Sequence, residues 1–371
     1  MEKADVIIIG AGLMGASTAL NLARAGKQVI LLEKELTPCH ASAVNAGGVR
    51  QLNRAFEEIP LSVAAMDLWP ELPKIVGEDC DFRSVGQVRI APDEEAMGIF
   101  EERINHVNAL GFSHEELVGP DEIRRLVPSY TAECAGGMVS RLDGFAQPAK
   151  TLKAFLTAAC NAGARLFTQC AVRDIQPTAN GFRLATEAGR IFHSETLVNS
   201  SGAWGKKLAA LVGDNIPITP SALAMMVVAR MPRFIAPVIG VHGRKLSFKQ
   251  MPNGSVVIGG ALRGSLDWQK EKTEIDFLQM RESAQTVTRH FEVMKQATVV
   301  RTWAGIEGIM SDKLPVIGPS RNCPGLFHAC GFSAHGFQLS PMVGRLVAQL
   351  VQGQTPEVNL DAFSLDRFEE E

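Results

Sequence analysis

The chain has little tyrosine and no paired cysteines. Tyr130 is the only tyrosine among 371 residues. No two cysteines form a CxxC pair, and their number is odd: Cys39, Cys80, Cys134, Cys160, Cys170, Cys323 and Cys330. This scatter argues against a disulfide framework, a structural zinc site, or an iron–sulfur cluster held by this chain alone. We therefore predict no metal site and a reducing compartment, the cytoplasm.

Neither sign of charge is in excess, and long apolar runs are absent. The formal net charge is −3, which gives no reason to expect a nucleic acid or an anionic membrane as partner. No stretch approaches the roughly 18 apolar residues that a membrane helix needs. Glu2, Lys3 and Asp5 precede the first apolar run, which is unlike a signal peptide. The sequence thus predicts a globular protein without a membrane span.

The first 33 residues instead contain a strand, a glycine-rich turn and a helix in the order of a dinucleotide-binding motif. The apolar strand Val6-Ile7-Ile8-Ile9 runs directly into Gly10-Ala11-Gly12-Leu13-Met14-Gly15. Gly10 allows the tight turn, Gly12 lets a pyrophosphate approach the backbone, and Gly15 lets the helix pack on the strand. A second strand ends at Glu33, which is placed to bind ribose hydroxyls, so the segment predicts nucleotide binding.

Three α/β segments alternate with two segments of another character. Residues 1–80, 146–215 and 301–371 combine apolar strands, glycine-rich turns and helices. Residues 81–145 and 216–300 are richer in short strands. The sequence also predicts helices near 93–109, at 148–162 and near 273–290. The simplest interpretation is an α/β nucleotide domain in three pieces, interrupted by a second domain in two pieces.

The whole chain resembles the D-amino-acid-oxidase-like FAD enzymes, most closely the group of sarcosine oxidase, glycine oxidase and the proline, hydroxyproline and opine dehydrogenases. Five blocks carry the resemblance: Gly10–Gly15 with Glu33, Ala41–Gly48, Asn199–Trp204, Arg301–Gly305 leading to Asp312–Gly318, and Cys330–Phe337. The resemblance implies a discontinuous Rossmann-type FAD-binding domain and a β-rich α+β substrate domain. It excludes a tyrosine-lined pocket of the D-amino-acid-oxidase type, since only Tyr130 is present.

The resemblance also implies which residues hold non-covalent FAD. Small residues at Asn45–Gly48 would let the backbone approach the flavin ring, and the loop Gly331–Phe337 would offer N–H groups to its N1–C2 carbonyl. Covalent attachment through Cys330 or Cys323 stays an alternative. The implied cofactor residues are Gly10, Gly12, Leu13, Met14, Gly15, Glu33, Lys34, Ser42, Asn45, Ala46, Gly47, Gly48, Val172, Gly202, Trp204, Gly305, Ala334, His335, Gly336, Phe337 and Gln338.

Family members oxidise a C–N bond by hydride transfer from the substrate α-carbon to flavin N5, after which the imine hydrolyses in water. Positioning carries most of this chemistry, and a guanidinium can hold the substrate carboxylate bidentately. Arg50 is our first candidate for that anchor, followed by Arg54 and Arg301. Gln338 stands where monomeric sarcosine oxidases carry a lysine directly after the matching His-Gly-Phe.

Two further departures bear on the electron acceptor and the cofactor. A lysine that promotes the oxygen reaction in those oxidases aligns best with Val257 here, and its loss favours a dehydrogenase that passes electrons to a partner. The histidine that binds FMN covalently in the β subunit of heterotetrameric sarcosine oxidases is matched by Leu142. FMN shared non-covalently with a partner subunit remains open.

Three side chains have two interpretations at this stage. His335 either forms a hydrogen bond near the cofactor or caps its loop. Trp303 and Phe337 either line the substrate cavity or belong to the core.

We therefore expect an FAD-dependent enzyme of CH–NH donors that acts on an opine, hydroxyproline, proline or sarcosine. We expect it to be the catalytic β subunit of a complex with smaller iron–sulfur or flavin subunits. Two rivals remain: a stand-alone glycine-oxidase-like enzyme that releases hydrogen peroxide, and a flavin-carrying subunit without a substrate site. A nicotinamide enzyme is disfavoured, because NAD would not explain the blocks Asn45–Gly48 and Gly331–Phe337.

Overall fold

Helices and strands alternate along the chain in the computed structural model, which describes residues 2–368. The helices are α1 (Leu13–Arg24), α2 (Ala41–Val44), α3 (Ile59–Leu68), α4 (Leu72–Val76), α5 (Glu94–Ala109), α6 (Pro120–Leu126), α7 (Pro148–Asn161), α8 (Gly205–Ala210), α9 (Phe277–His290) and α10 (Gly336–Val351). The strands are β1 (Glu2–Ile9), β2 (Val29–Leu32), β3 (Gly48–Val49), β4 (Arg83–Ser84), β5 (Gln87–Ala91), β6 (Glu116–Val118), β7 (Gly136–Ser140), β8 (Gly144–Phe145), β9 (Arg165–Phe167), β10 (Val172–Thr178), β11 (Gly181–Thr186), β12 (Ile191–Asn199), β13 (Thr219–Val228), β14 (Val238–Val241), β15 (Ser247–Gln250), β16 (Val256–Arg263), β17 (Ser265–Asp267), β18 (Lys272–Glu274), β19 (Val299–Ile309), β20 (Val316–Pro319) and β21 (Leu326–Cys330). None of these helices is both long and apolar enough to cross a membrane.

The first sheet has the order β10-β11-β12-β1-β2-β9, with β21 also paired to β12, and β20 to β21. β1 runs parallel to both of its neighbours, β12 and β2. Val6–Ile9 is buried throughout, as expected for a parallel strand covered on both faces. α1, α7 and α10 pack together in the core against this sheet. The predicted Rossmann-type strand–turn–helix is therefore confirmed, and with it the α/β fold class.

Several predicted helices have the expected bounds, and one does not. The helices predicted near 93–109 and 148–162 correspond to α5 and α7. The helix predicted near 273–290 begins only at Phe277. The side chain of Asp276 accepts hydrogen bonds from the N–H groups of Leu278 and Gln279, which fixes the start of the helix there.

The second sheet has the order β19-β13-β16-β15-β14-β5-β7-β6 and is antiparallel except for the pair β14–β5. On one face Met226, Phe248 and Ile258 join a hydrophobic core that includes buried residues of α9. Because side chains alternate along a strand, their sequence neighbours lie on the opposite face. We call that opposite side, which carries Arg89, Lys249, Trp303 and Gly305, the inner face.

The inner face turns toward the first sheet and its loops. Trp303 Nε1 donates a hydrogen bond to the carbonyl of Val44 at the end of α2 (2.7 Å). A Cβ at Gly305 would lie 2.1 Å from Val44 Cγ2, so only glycine fits there. Trp303 therefore joins the second sheet to the end of α2, and its place on the wall of a substrate cavity stays a prediction.

The strands support the predicted division into two discontinuous domains, which we retain as a proposal. The first sheet takes its strands from 2–32, 165–199 and 316–330, and the second from 87–140 and 219–309. β19 pairs with β13 along its length, so we propose to move the last boundary from residue 301 to about residue 310.

Candidate active site

A cleft of about 330 Å³ opens at the carboxyl ends of β1 and β2, where α1 begins. Ligands of open α/β sheets bind at this edge. Residues predicted to hold the cofactor line the cleft: Gly10, Gly12, Glu33, Lys34, Ser42, Val172, Gly202 and Trp204. The structure thus brings together residues from four separate stretches of the sequence.

The glycines of the first turn are required mainly by packing within the protein. Gly10 has φ +99°, and a Cβ there would lie 2.6 Å from the carbonyl oxygen of Ser200. A Cβ at Gly15 would lie 2.0 Å from the carbonyl oxygen of Gly10, which confirms the close helix–strand approach. Gly12 faces Ser42, whose Oγ accepts a hydrogen bond from the N–H of Leu13 (3.0 Å). The first turn of α1 therefore meets a polar side chain at the end that attracts phosphate.

Glu33 stands at the end of β2 with its carboxylate on the wall of the cleft. One oxygen accepts from the N–H of Ala11 and the other from the N–H of Glu35, each at 3.0 Å. These bonds fix the carboxylate while each oxygen keeps a lone pair for a ribose hydroxyl. The geometry fits the predicted contact with a nucleotide.

A hairpin of the second domain reaches across the outer end of the cleft. Glu271, between β17 and β18, accepts a hydrogen bond from Trp204 Nε1 (2.5 Å) and pairs with Lys34. Lys34 also lies 3.5 Å above the ring of Trp204, and His40 packs on that ring from another side. The two halves of the molecule are thus joined at the mouth of the cleft.

The segment Asn45–Gly48 is predicted to form the flavin wall, and its two glycines have different surroundings. Asn45 Oδ1 accepts from the N–H of Gly47 (2.7 Å) and holds the turn. Gly47 has φ +71°, and a Cβ there would lie 2.1 Å from the carbonyl oxygen of Ala146. A Cβ at Gly48 would meet no atom within 4 Å. Only Gly48 therefore leaves free space for a ring beside the backbone.

The loop before α10 is held by two acidic side chains. Ser333 and Ala334 have φ +50° and +68°, and the N–H of Ala334 donates to Glu307 Oε1 (3.1 Å). His335 Nδ1 lies 2.9 Å from Glu58 Oε2. Burial lowers the pKa of His335 to about 4, so the imidazole is neutral at pH 7 and donates to the carboxylate. His335 therefore ties its loop to the segment before α3.

Arg54 and Gln338 are engaged by the protein itself. Each guanidinium nitrogen of Arg54 has a partner: Glu58, Gln338 or the carbonyl of Arg50. Gln338 is fully buried and bonds Ser62 and Arg54 with its amide. Every polar atom of the two side chains has a partner, and Arg54 Nη1 and Gln338 Nε2 each keep one N–H without an acceptor among the described residues.

Phe337 and Gly336, the neighbours of Gln338, pack inward. The ring of Phe337 is buried 5.2 Å from that of Trp69, which favours the core interpretation. A Cβ at Gly336 would lie 2.9 Å from Cε of Met14, a residue of α1. The start of α10 is therefore locked onto α1.

Arg50 and Arg301, the other predicted anchors, differ in position. Arg50 follows Gly48 by two residues and uses only Nη1, which donates to the carbonyls of Leu52 and Asn53. Its Nε and Nη2 have no hydrogen-bond partner among residues 2–368. Burial and the nearby guanidinium of Arg54 lower the pKa of Arg50 to about 9, so it remains charged at pH 7. Arg301 is exposed on β19.

Sequence reasoning missed three charged residues: Lys249, Arg89 and Glu307. Lys249 is buried, its Nζ donates to the carbonyl of Ala46 in the flavin-wall segment, and burial lowers its pKa to about 7. Burial raises the pKa of Glu307 to about 7. The detectable signal was the alternation of apolar and charged residues, as in Val88-Arg89-Ile90, which places the charge on the face opposite the core.

Lys249 also alters the argument drawn from Val257. The two residues are direct cross-strand partners in β15 and β16. Such partners have Cβ atoms about 5 Å apart on the same face. The sequence lacks a lysine at Val257, but the fold supplies one from the next strand, so the loss no longer favours a dehydrogenase.

A dinucleotide with a flat ring fits these residues. The cleft offers a fixed carboxylate at Glu33, the first turn of α1, and free space beside Gly48. The cysteines considered for covalent attachment are buried: a Cβ at Gly205 would lie 2.8 Å from Cys330 Sγ, and burial raises the pKa of the Cys330 thiol to about 12. Burial also raises the pKa of Cys323.

Comparison with known proteins gives consistent matches over the full chain. The family described as DAO, FAD dependent oxidoreductase, matches residues 5–350. Glycine oxidase of Geobacillus kaustophilus is 29% identical over 99% of this chain and 97% of its own length, and its crystal structure superposes with a TM-score of 0.91 over 100% of both chains.

Two further matches come from enzymes with other names. A subunit of the opine oxidase of Rhizobium meliloti is 24% identical over 100% of this chain and 99% of its own length. The crystal structure of L-proline dehydrogenase from P. horikoshii is 25% identical, with a TM-score of 0.90 over 99% of this chain and 98% of that one. The chain belongs to the DAO family of FAD-dependent oxidoreductases, and FAD is its cofactor.

Proposed function

We propose that this enzyme oxidises the C–N bond of an amino acid that carries a secondary amine. An opine or a hydroxyproline is our first candidate, and proline or sarcosine the next. The amine loses a proton, the α-carbon loses a hydride, and the resulting imine is hydrolysed by water. Bound FAD would supply the two-electron acceptor for the hydride.

The proposal rests on the unpartnered guanidinium nitrogens of Arg50. Arg50 follows Gly48 by two residues, and its guanidinium keeps two nitrogens without a partner among the described residues. A guanidinium in this condition favours a bidentate bond to a carboxylate. An anchor two residues from the flavin wall would hold the substrate carboxylate, and thus the α-carbon, beside the ring.

Glu307 is placed to accept a proton from the substrate ammonium group. It continues the inner face of β19 beyond Gly305 and contacts the loop before α10 through Ala334. With a pKa of about 7, its carboxylate can take a proton from a substrate ammonium near neutral pH. A neutral amine is the form that can release a hydride from its α-carbon.

We propose further that the electrons leave through a partner. The relative from opine oxidase is named as one subunit of that enzyme, and therefore as part of a larger assembly. The present chain has no CxxC pair, so an iron–sulfur relay would have to lie in another subunit. Smaller iron–sulfur or flavin subunits, and FMN shared with one of them, remain our proposal. All seven cysteines are free, which supports a reducing compartment such as the cytoplasm.

Lys249 favours a second candidate, an oxidase that releases hydrogen peroxide. Its buried amino group donates a hydrogen bond to the carbonyl of Ala46, which belongs to the flavin-wall segment. A positive charge at such a place stabilises the superoxide that forms when oxygen accepts electrons. The similarity to glycine oxidase supports the same candidate.

The test is anaerobic bleaching of the bound flavin near 450 nm. The compounds are octopine, nopaline, both enantiomers of proline, the hydroxyprolines, sarcosine, glycine and D-alanine. We expect an opine or a hydroxyproline to bleach the flavin in wild-type holoenzyme, and at least tenfold more slowly in Arg50→Gln. Arg173→Gln, an exposed arginine of β10, is the matched control and should behave as wild type.

Reoxidation of the bleached enzyme separates the two candidates. Recovery in air within seconds indicates an oxidase, whereas recovery only with added electron-transfer partners indicates a dehydrogenase subunit. If no amine bleaches the flavin, the proposal fails and a flavin-carrying subunit without a substrate site takes its place.

A further inference from the structure

Arg89 is a second arginine at this site without an acidic partner. It lies in β5, between Val88 and Ile90, whose side chains both enter the core of the second sheet. Its own side chain therefore extends from the inner face, as does that of Lys249. Its backbone neighbour on β14 is Gly240, so no side chain covers it from that strand.

No carboxylate satisfies Arg89 within the described part of the chain. Its Nε is buried and has no hydrogen-bond partner. The charged groups near Arg89 are the guanidiniums of Arg103 and Arg50, and each is close enough to repel its positive charge. Arg103 is neutralised by Glu115 through bonds of 2.7 and 2.8 Å. Arg89 and Arg50 are thus near each other, and neither donates a hydrogen bond to a carboxylate among residues 2–368.

The other carboxylates of this region are already occupied. Glu58 bonds Arg54 and His335. Asp143 accepts from the backbone N–H groups of Gln51 and Leu52 and from a serine hydroxyl. Buried guanidinium N–H groups without acceptors are costly, so the arrangement calls for acceptors from outside the chain.

We infer that Arg89, together with Arg50, makes the site selective for a secondary amine with two carboxylates, an N-(carboxyalkyl) amino acid. This inference rests on the proposed function and narrows its substrate class. Arg50 and Arg89 provide two guanidiniums without a hydrogen-bonded carboxylate among residues 2–368, one for each carboxylate of such a ligand. A monocarboxylate would engage one of these guanidiniums and leave the other without an acceptor.

The test uses holoenzyme and two ligands that cannot be oxidised at nitrogen. Thiodiglycolate carries two carboxylates about a central sulfur, and (methylthio)acetate carries one. Binding is followed by the change in the flavin absorption spectrum. We expect wild type to bind thiodiglycolate at least tenfold more tightly than (methylthio)acetate.

Arg89→Gln should weaken thiodiglycolate binding about ten- to hundredfold, the range for one charge-assisted hydrogen-bonded contact. Binding of (methylthio)acetate should change less than threefold, and Arg89→Lys should restore part of the loss. The flavin spectrum of each variant without ligand reports whether the protein is folded and loaded. Arg173→Gln again serves as control.

Two results would overturn the inference. One is equal affinity of wild type for both ligands, whatever amine bleaches the flavin. The other is an equal effect of Arg89→Gln on both ligands, which would indicate a general role in shaping the site. If the two ligands are discriminated through Arg89 but no amine bleaches the flavin, the anion site stands and the proposed oxidation fails.

Discussion

Replacing Glu307 by glutamine should change how the stability of the protein depends on pH. The carboxyl lies on β19 and accepts one hydrogen bond, from the N–H of Ala334. Burial raises its pKa from 4.5 to about 7. Glutamine has nearly the same shape, and its amide oxygen can still accept from Ala334, so the substitution removes the titration and keeps the contact.

The sign and size of the effect follow from linkage. The folded protein holds the Glu307 proton more tightly than the unfolded chain, so the wild type loses stability as pH rises from about 4.5 to about 7. A shift of about 2.5 units corresponds to about 3.4 kcal/mol at 1.36 kcal/mol per unit. The side chain is only half-buried, and solvent screening reduces this to roughly 1.5 kcal/mol. Glu307→Gln should therefore be more stable than wild type by about that amount at pH 8, and equally stable near pH 4.5.

Urea denaturation at pH 5, 6, 7 and 8 measures this difference directly. The matched control is Glu195→Gln, which replaces an exposed carboxyl on β12. A Glu307→Gln difference that does not grow with pH would refute the reasoning. In the same variant, the pH dependence of flavin bleaching should lose its limb near pH 7.

Three other substitutions test separate parts of the site. Glu58→Gln leaves the guanidinium of Arg54 buried without its carboxylate and should lower the free energy of unfolding by about 3–5 kcal/mol in urea; a loss below about 1 kcal/mol would contradict the buried pair. Lys249→Met removes a buried amine whose pKa is lowered to about 7. The substitution should raise the free energy of unfolding by about 1–3 kcal/mol at pH 7, and this gain should vanish toward pH 10. A gain that persists at pH 10 would exclude titration of Lys249 as its cause. Gly47→Ala should lower the urea midpoint, because the added Cβ meets the carbonyl oxygen of Ala146. Gly48→Ala should leave the urea midpoint unchanged and weaken FAD binding about tenfold. If both substitutions change the midpoint and the FAD affinity equally, the two glycines have the same role.

The first sheet could be predicted because its signals are local. The strand, turn and helix of Val6 to Gly15 lie within a few residues of one another, and each residue type has a direct backbone reason. The start of α9 was predicted too early because a single capping contact at Asp276 decided it. A cap of this kind looks like any other aspartate in a polar stretch.

The cofactor side of the site was also accessible to sequence reasoning, since each block is contiguous. The substrate side was not. Arg89 and Lys249 belong to different strands that come together only through the register of the second sheet. Local spacing cannot report that register. It also cannot tell that Gly47 serves the packing of its own chain, while Gly48, one residue on, leaves open space.

β19 has a consequence for redesign of such an enzyme. The same strand pairs with β13 in the second sheet, contacts Val44 at the end of α2, and anchors the loop before α10 through Glu307. A change along β19 will therefore disturb cofactor and substrate together. Among residues 2–368, β5 and β14 form no hydrogen bond to Val44 or to the loop before α10, so their inner-face positions are where a new substrate preference can be introduced with the redox centre left intact.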